Sequence, residues 1–183
     1  GEDGRTFLGT DAKTLALTLS ALGASAVGLN CSLGPKEMLP FVKEITEYAT
    51  VPVIVQPNAG MPKYVDGETV YTVDKYEFAE NVSKMLDMGV SIIGGCCGTT
   101  PEYITELKKL IDQRKPKTRK IVRRTAFTSS QNTVILDNST AVIGERINPT
   151  GKKRLKEALR TKDYGYIMSE AISQTEHGAD ILD

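Results

Sequence analysis

Three short apolar runs, Ala24 to Asn30, Val51 to Gln56 and Val90 to Ile93, alternate with stretches whose apolar residues recur at helical spacing. This alternation narrows the possible folds more than any other feature. Leu15, Leu19 and Leu22 share one face of the first helical stretch, behind a Thr10/Asp11 cap and ahead of Gly23. Met38, Phe41, Val42, Ile45 and Tyr48 line the second, which Pro35 opens; Pro40 must lie in its first turn or kink it. Phe78, Val82, Met85 and Leu86 mark a third helix between Asp74 and Gly89, and Ile104, Leu107, Leu110 and Ile111 a fourth from Pro101 to about Arg114. Strands spaced in this way pair in parallel through right-handed helical crossovers, so their C-terminal ends share one edge of the sheet. The run 51–56 lacks polar alternation and is expected to be buried on both faces. A loop of about fifteen residues after Pro57-Asn58-Ala59-Gly60 is long enough to act as a lid.

The three strand ends carry Cys31, Asn58 and the pair Cys96-Cys97, and these are all the cysteines in the chain. The pair lies in Gly94-Gly95-Cys96-Cys97-Gly98-Thr99-Thr100-Pro101, where a strand turns into a helix and where α/β enzymes keep their chemistry. An odd number of cysteines cannot all pair within one chain, and a bridge between adjacent cysteines strains the backbone, so a reducing compartment fits better. Three thiolates match the protein ligand count of a catalytic zinc site with one position left open. The competing reading is that the cysteines are small core hydrophobes. Asn58 either fills the open position through its amide oxygen when substrate is absent or shapes its own loop. The amides at Thr99-Thr100-Pro101-Glu102 either hold a substrate carboxylate or only start the helix.

Lys plus Arg and Asp plus Glu each number 23, which gives no net field for nucleic acid or membrane. No run approaches the roughly 18 apolar residues of a membrane span. The start, Gly1-Glu2-Asp3-Gly4-Arg5, is unlike a signal peptide. A cytoplasmic protein is expected, and the lack of an initiator Met suggests a piece of a longer one.

From Lys115 to Arg124 the periodicity breaks into a basic run, read as a solvated linker in preference to a phosphate site because no aromatic residues are interleaved. Residues 115–133 are therefore expected to join one domain, 1–114, to the opening of another, 134–183. In that second part, Thr133 to Leu136 and Ala141 to Ile147 flank Asp137-Asn138-Ser139-Thr140 as the arms of an expected hairpin. Helical stretches follow at about 152–160 and 163–176, and a strand begins at Gly178. His177, the only histidine, is read as a helix-end or surface residue.

Asn30-Cys31, the Pro57 to Gly60 turn and the double-cysteine motif resemble the zinc-dependent homocysteine S-methyltransferase family over roughly residues 1–114. Val142-Ile143-Gly144-Glu145-Arg146-Ile147-Asn148-Pro149-Thr150-Gly151 resembles the first strand of the pterin-binding barrels, and Asp180-Ile181-Leu182-Asp183 the second. The two in series resemble the cobalamin-dependent methionine synthase family. That resemblance implies an α/β fold of two (β/α)₈ TIM barrels, here the last units of one and the start of the next. It implies Zn²⁺ on Cys31, Cys96 and Cys97, with Asn58 as a candidate fourth ligand, and Glu145, Asn148 and Asp183 as candidates at the pterin site. The implied reaction carries a methyl group from methyltetrahydrofolate, through cobalamin on a module outside this chain, to zinc-activated homocysteine. The implied partners are homocysteine, methyltetrahydrofolate, the cobalamin-binding domain and the barrel segments that this chain lacks. Such a fragment is expected to be inactive alone. The alternatives are a betaine- or S-methylmethionine-dependent homocysteine methyltransferase, a non-catalytic segment coupling two barrels, and a thiol redox module.

Overall fold

The computed structural model describes residues 3–183, so Gly1 and Glu2, the start of the stretch read as unlike a signal peptide, lie outside it. The chain divides into two compact units, Gly1–Arg123 with Thr128–Asn132, and Arg124–Phe127 with Thr133–Asp183.

In the first unit Asp11 caps α1 (Ala12–Ala21) by accepting from the Thr14 amide at 2.7 Å. Strand β1 (Val27–Asn30) leads to α2 (Pro35–Tyr48), with Pro35 at its start and Pro40 inside the helix on an exposed position. Next come β2 (Val53–Gln56), a hairpin of β3 (Lys63–Val65) and β4 (Glu68–Val70), and α3 (Lys75–Asp87). Strand β5 (Ile92–Ile93) and α4 (Pro101–Asp112) complete the series, α4 stopping slightly short of the expected Arg114. The sheet order is β1-β2-β5, and both pairings are parallel, with Val27 opposite Val53 and Ile54 opposite Ile92. Helical crossovers thus put the C-terminal ends of all three strands along one edge.

The core gathers on one face of this sheet. Val53 and Val55 pack with Met38, Val42, Ile45 and Met85, while Ile54 is half-buried and Ile92 is 44% exposed. Burial in β2 therefore alternates, against the expectation of two covered faces, because the packed helical side chains of this cluster meet only its odd-numbered residues. Phe78, Val82 and Leu107 form a second cluster between α3 and α4, where the Phe78 and Tyr103 rings meet edge-on at 5.3 Å.

The stretch after Gly60, expected as an irregular loop, holds the β3–β4 hairpin instead. Asp66 and Gly67 both take positive φ, 49° and 87°, as a tight two-residue turn between twisted strands requires. The basic stretch also departs from a fully solvated linker. Arg119 donates to the carbonyls of Thr46 (2.7 Å), Ala49 (3.0 Å) and Val51 (2.6 Å), which otherwise end α2 and its exit turn without partners.

The second unit corrects the expected hairpin. Strand β7 (Thr133–Ile135) pairs with β6 (Ala126–Thr128), and β8 (Ile143–Gly144) pairs in parallel with β9 (Ile181–Leu182). Asp137 explains the difference. Its carboxylate accepts from the Thr125 amide and pairs with Arg124, and the Leu136 amide donates to Thr125, so the chain after β7 is tied to residues before it. Two helices, α5 (Lys153–Thr161) and α6 (Tyr164–Glu176), connect β8 to β9. The fold is mixed α/β with a parallel sheet in each unit, and no barrel closure is seen among the described residues. Among those residues no helix is long and apolar enough to cross a membrane.

Candidate metal centre

The three strand ends of the first unit are laced together by their backbones. The Cys31 amide donates to Gln56, extending the β1–β2 ladder by one residue, and the Asn58 amide donates to Leu33. The Cys96 amide donates to Pro57 at 2.8 Å, and the Ala59 amide to Cys97 at 2.9 Å. Asn58 is 2% exposed, and its Oδ1 accepts from the Cys97 amide at 3.1 Å. Thr99 closes the turn from the other side, its hydroxyl donating to the Cys96 carbonyl at 2.6 Å. At the end of β1 the chain reverses through two left-handed residues that are not glycine, Cys31 (φ 58°) and Ser32 (φ 64°).

These turns aim the three thiols at one point. The Cys31 and Cys97 sulfurs are 3.7 Å apart and those of Cys96 and Cys97 4.0 Å, and all three lie within 4.8 Å of one another. Three thiolates bound tetrahedrally at about 2.3 Å sit about 3.8 Å apart along each edge, so the cluster has the dimensions of a zinc site. The thiols are free, and these separations far exceed the roughly 2.05 Å of a disulfide. Cys31 and Cys96 are partly buried and Cys97 is exposed, which leaves one side of the cluster open. A structural zinc site would close that side with a fourth protein ligand.

The thiols are electrostatically distinct. The Ser32 amide, directed at the Cys31 sulfur by the left-handed turn, lowers the Cys31 pKa, helped by the neighbouring thiols and the Asn58 amide and opposed by burial. Burial and then the Cys31 thiol push Cys96 up. Tyr71, which sequence reasoning missed, lies beside them: burial raises its pKa first, and its hydroxyl interacts with Cys97. Nothing in the spacing of the chain points to this tyrosine, because it is brought in by the hairpin.

Asn58 also comes to the cluster, but its amide oxygen is engaged by the Cys97 amide. At the start of α4, Thr100 is bonded to Glu102, whose pKa is lowered first by the Thr100 hydroxyl and then by its own backbone amide.

In the second unit Glu145 and Asp183 directly follow the paired residues Gly144 and Leu182, so they stand side by side at the C-terminal ends of β8 and β9. Lys152, also missed in sequence, gathers the loop: its ammonium donates to the Glu145 carboxylate (2.8 Å) and carbonyl and to the Asn148 carbonyl. The Asn148 side chain accepts from the Thr150 amide at 3.0 Å. His177 ends α6 on the surface, its Nδ1 2.7 Å from the Ser173 carbonyl.

Comparison with known proteins agrees with this geometry. The homocysteine S-methyltransferase family model matches residues 1–111. A methionine synthase of Mycobacterium tuberculosis is 34% identical over 183 residues, covering 98% of this chain and 15% of that protein. One of Mycobacterium leprae is 34% identical over 188 residues, covering 98% of the chain and 16% of that protein. The chain therefore spans only about one sixth of the length of these relatives. The family match contains all three converging cysteines and covers most of the chain, so this protein belongs to the homocysteine S-methyltransferase family.

Proposed function

We propose that the first unit supplies the zinc-thiolate centre of a methyltransferase that makes methionine from homocysteine. The observation that carries this reading is the convergence of Cys31, Cys96 and Cys97 at zinc-site spacing in a member of this family. When bound there, Zn²⁺ lowers the pKa of a coordinated thiol and so supplies a thiolate near neutral pH. The protein's own groups prepare for this. The Ser32 amide favours the Cys31 thiolate, Asn58 fixes the Cys97 backbone, and the open side beside Cys97 admits the substrate sulfur. Buried Asn58 thus has a positioning role whether or not its oxygen also serves as a ligand.

The finer reading is a pair of TIM barrels, 1–114 contributing to the homocysteine barrel and 134–183 opening a methyltetrahydrofolate barrel. In that second barrel Glu145, Asn148 and Asp183 lie near the pterin. The relatives named methionine synthase align over nearly the whole chain, second unit included, which favours a folate donor over betaine. In this reading cobalamin would be held by a module outside these residues and would supply the methyl carrier, the reaction would take place in the cytoplasm, and the 183-residue chain alone would be inactive.

The test uses the full-length protein that contains this chain. It should bind about one zinc through these thiolates and transfer labelled methyl from methyltetrahydrofolate to homocysteine. The Cys96→Ala/Cys97→Ala double variant should lose both. Full zinc retention in that variant would overturn the assignment of the ligands, and methyl transfer from betaine alone would overturn the choice of donor.

A further inference from the structure

The side chain of Tyr71, which is not a ligand candidate, lies against the turn Cys96-Cys97-Gly98. A methyl group on Gly98, whose φ is 77°, would meet the Tyr71 ring at 2.4 and 2.6 Å and its Cβ at 2.7 Å, so the ring lies against the backbone that follows the second cysteine. Tyr71 is the first residue after β4, and the segment it begins is held at three points. The Val73 amide donates to the Ala59 carbonyl at 3.1 Å, and its side chain covers Gly60, leaving 2.6 Å to a methyl group placed there. The Val73 carbonyl accepts from the Tyr103 hydroxyl of α4 at 2.7 Å. The segment 71–73 thus straps the turn after β2 to the turn before α4. The hairpin outside the strap is exposed, with Tyr64 78% exposed.

We propose that Tyr71 is a positioning residue of the thiol centre, its ring clamping the Cys96-Cys97-Gly98 turn and its hydroxyl donating to the Cys97 sulfur. The proposal deepens the metal-centre reading and rests on it. Two contributions are separable. Ring packing fixes where the Cys97 thiol points, because Gly98 has no side chain of its own with which to define the turn. The hydroxyl offers a hydrogen bond to sulfur; on a metal-bound thiolate such a bond draws off negative charge and makes the sulfur a weaker nucleophile. Cys97 is the most exposed of the three thiols, and so the one that most needs such restraint.

The experiment is a Co²⁺ and Zn²⁺ titration of the full-length protein and of its Tyr71→Phe and Tyr71→Ala variants. Metal-loaded samples are then alkylated with iodoacetamide, and the modified cysteines are identified by mass spectrometry. Wild type should bind one Co²⁺ with thiolate-to-cobalt charge-transfer absorption; failure to bind overturns the metal-centre reading itself. Tyr71→Phe keeps the ring, so it should retain that stoichiometry and the melting temperature. It should shift the charge-transfer band, weaken metal binding about tenfold and speed alkylation of Cys97 over Cys96. Tyr71→Ala, which loses the clamp as well, should weaken binding by about 100-fold. Wild-type metal binding combined with an unshifted band and unchanged Cys97 alkylation in Tyr71→Phe would overturn the role of the hydroxyl. Affinity within about twofold of wild type in Tyr71→Ala would overturn the clamp.

Discussion

Replacing Gly28 with alanine tests whether strand pairing sets the geometry of the thiols. Gly28 lies in β1 opposite Ile54, and a methyl group there would stand 1.7 Å from the Ile54 carbonyl oxygen and 2.7 Å from its carbon. Both obstructing atoms are backbone, so no rotamer change relieves the clash. Reaching even a 3.0 Å contact requires the two strands to part by about 1.3 Å at this point. Three residues on, Cys31 hangs from the same ladder through its amide bond to Gln56, whereas Cys96 and Cys97 hang from the turn after β2 through Pro57 and Asn58. The displacement therefore falls between the ligands. Zinc–sulfur distances tolerate about 0.2 Å, so zinc affinity should drop by about 100-fold or more. The overpacking should cost about 3 kcal/mol, the upper end for such changes, because main chain must move. The assay is zinc competition against a chromophoric chelator in the full-length protein. The control is Gly23→Ala, where the methyl group meets nothing within 4 Å and only the positive φ of 86° is strained, at about 1 kcal/mol. Gly28→Ala binding zinc within about threefold of the wild-type affinity would refute the reasoning.

Asn58→Ala removes the acceptor that holds the Cys97 amide inside the fold and should weaken zinc binding about 10- to 100-fold, read by the same competition; undiminished affinity would make Asn58 a loop residue only. Arg119→Met should destabilise the first unit by about 2–3 kcal/mol, because the carbonyls of Thr46, Ala49 and Val51 lose a charged donor, while zinc affinity stays unchanged. Hydrogen exchange at the end of α2 reports that loss, and unchanged protection there would count against it. In metal-free protein the Cys31 pKa is lowered by the Ser32 amide and that of Cys96 is raised by burial. As pH rises, Cys31 should become a thiolate first, so its alkylation should set in at lower pH than that of Cys96; the reverse order, followed residue by residue by mass spectrometry, would contradict this electrostatic picture.

The parallel order β1-β2-β5 was legible because its signals are local: apolar runs, Gly and Pro punctuation, and helical faces such as Phe78, Val82 and Met85. The convergence of the cysteines followed from topology alone, since parallel crossovers put strand ends on one edge. The β3–β4 hairpin was missed although Asp66-Gly67 is a strong two-residue turn signal; the strands flanking it, Lys63–Val65 and Glu68–Val70, are short and exposed and lack alternating hydrophobicity. Pairing in the second unit differs from the expected hairpin because the carboxylate of Asp137 is engaged by Thr125 and Arg124, a non-local choice that composition does not encode. Tyr71 and Lys152 escaped for the same reason. Each reaches its partners through a loop whose course depends on the finished fold.

The left-handed turn at Cys31 bears on how this site is able to change over evolutionary time. Asn, Asp and His are the non-glycine residues found most often in that conformation, and Asp and His are themselves metal ligands. The backbone at position 31 thus leaves oxygen and imidazole donors conformationally open. Branched side chains are the ones it resists. What cysteine adds at that position is therefore not backbone fit but an electron-rich, polarisable sulfur donor. A single replacement there would leave the turn in place and alter the donor set.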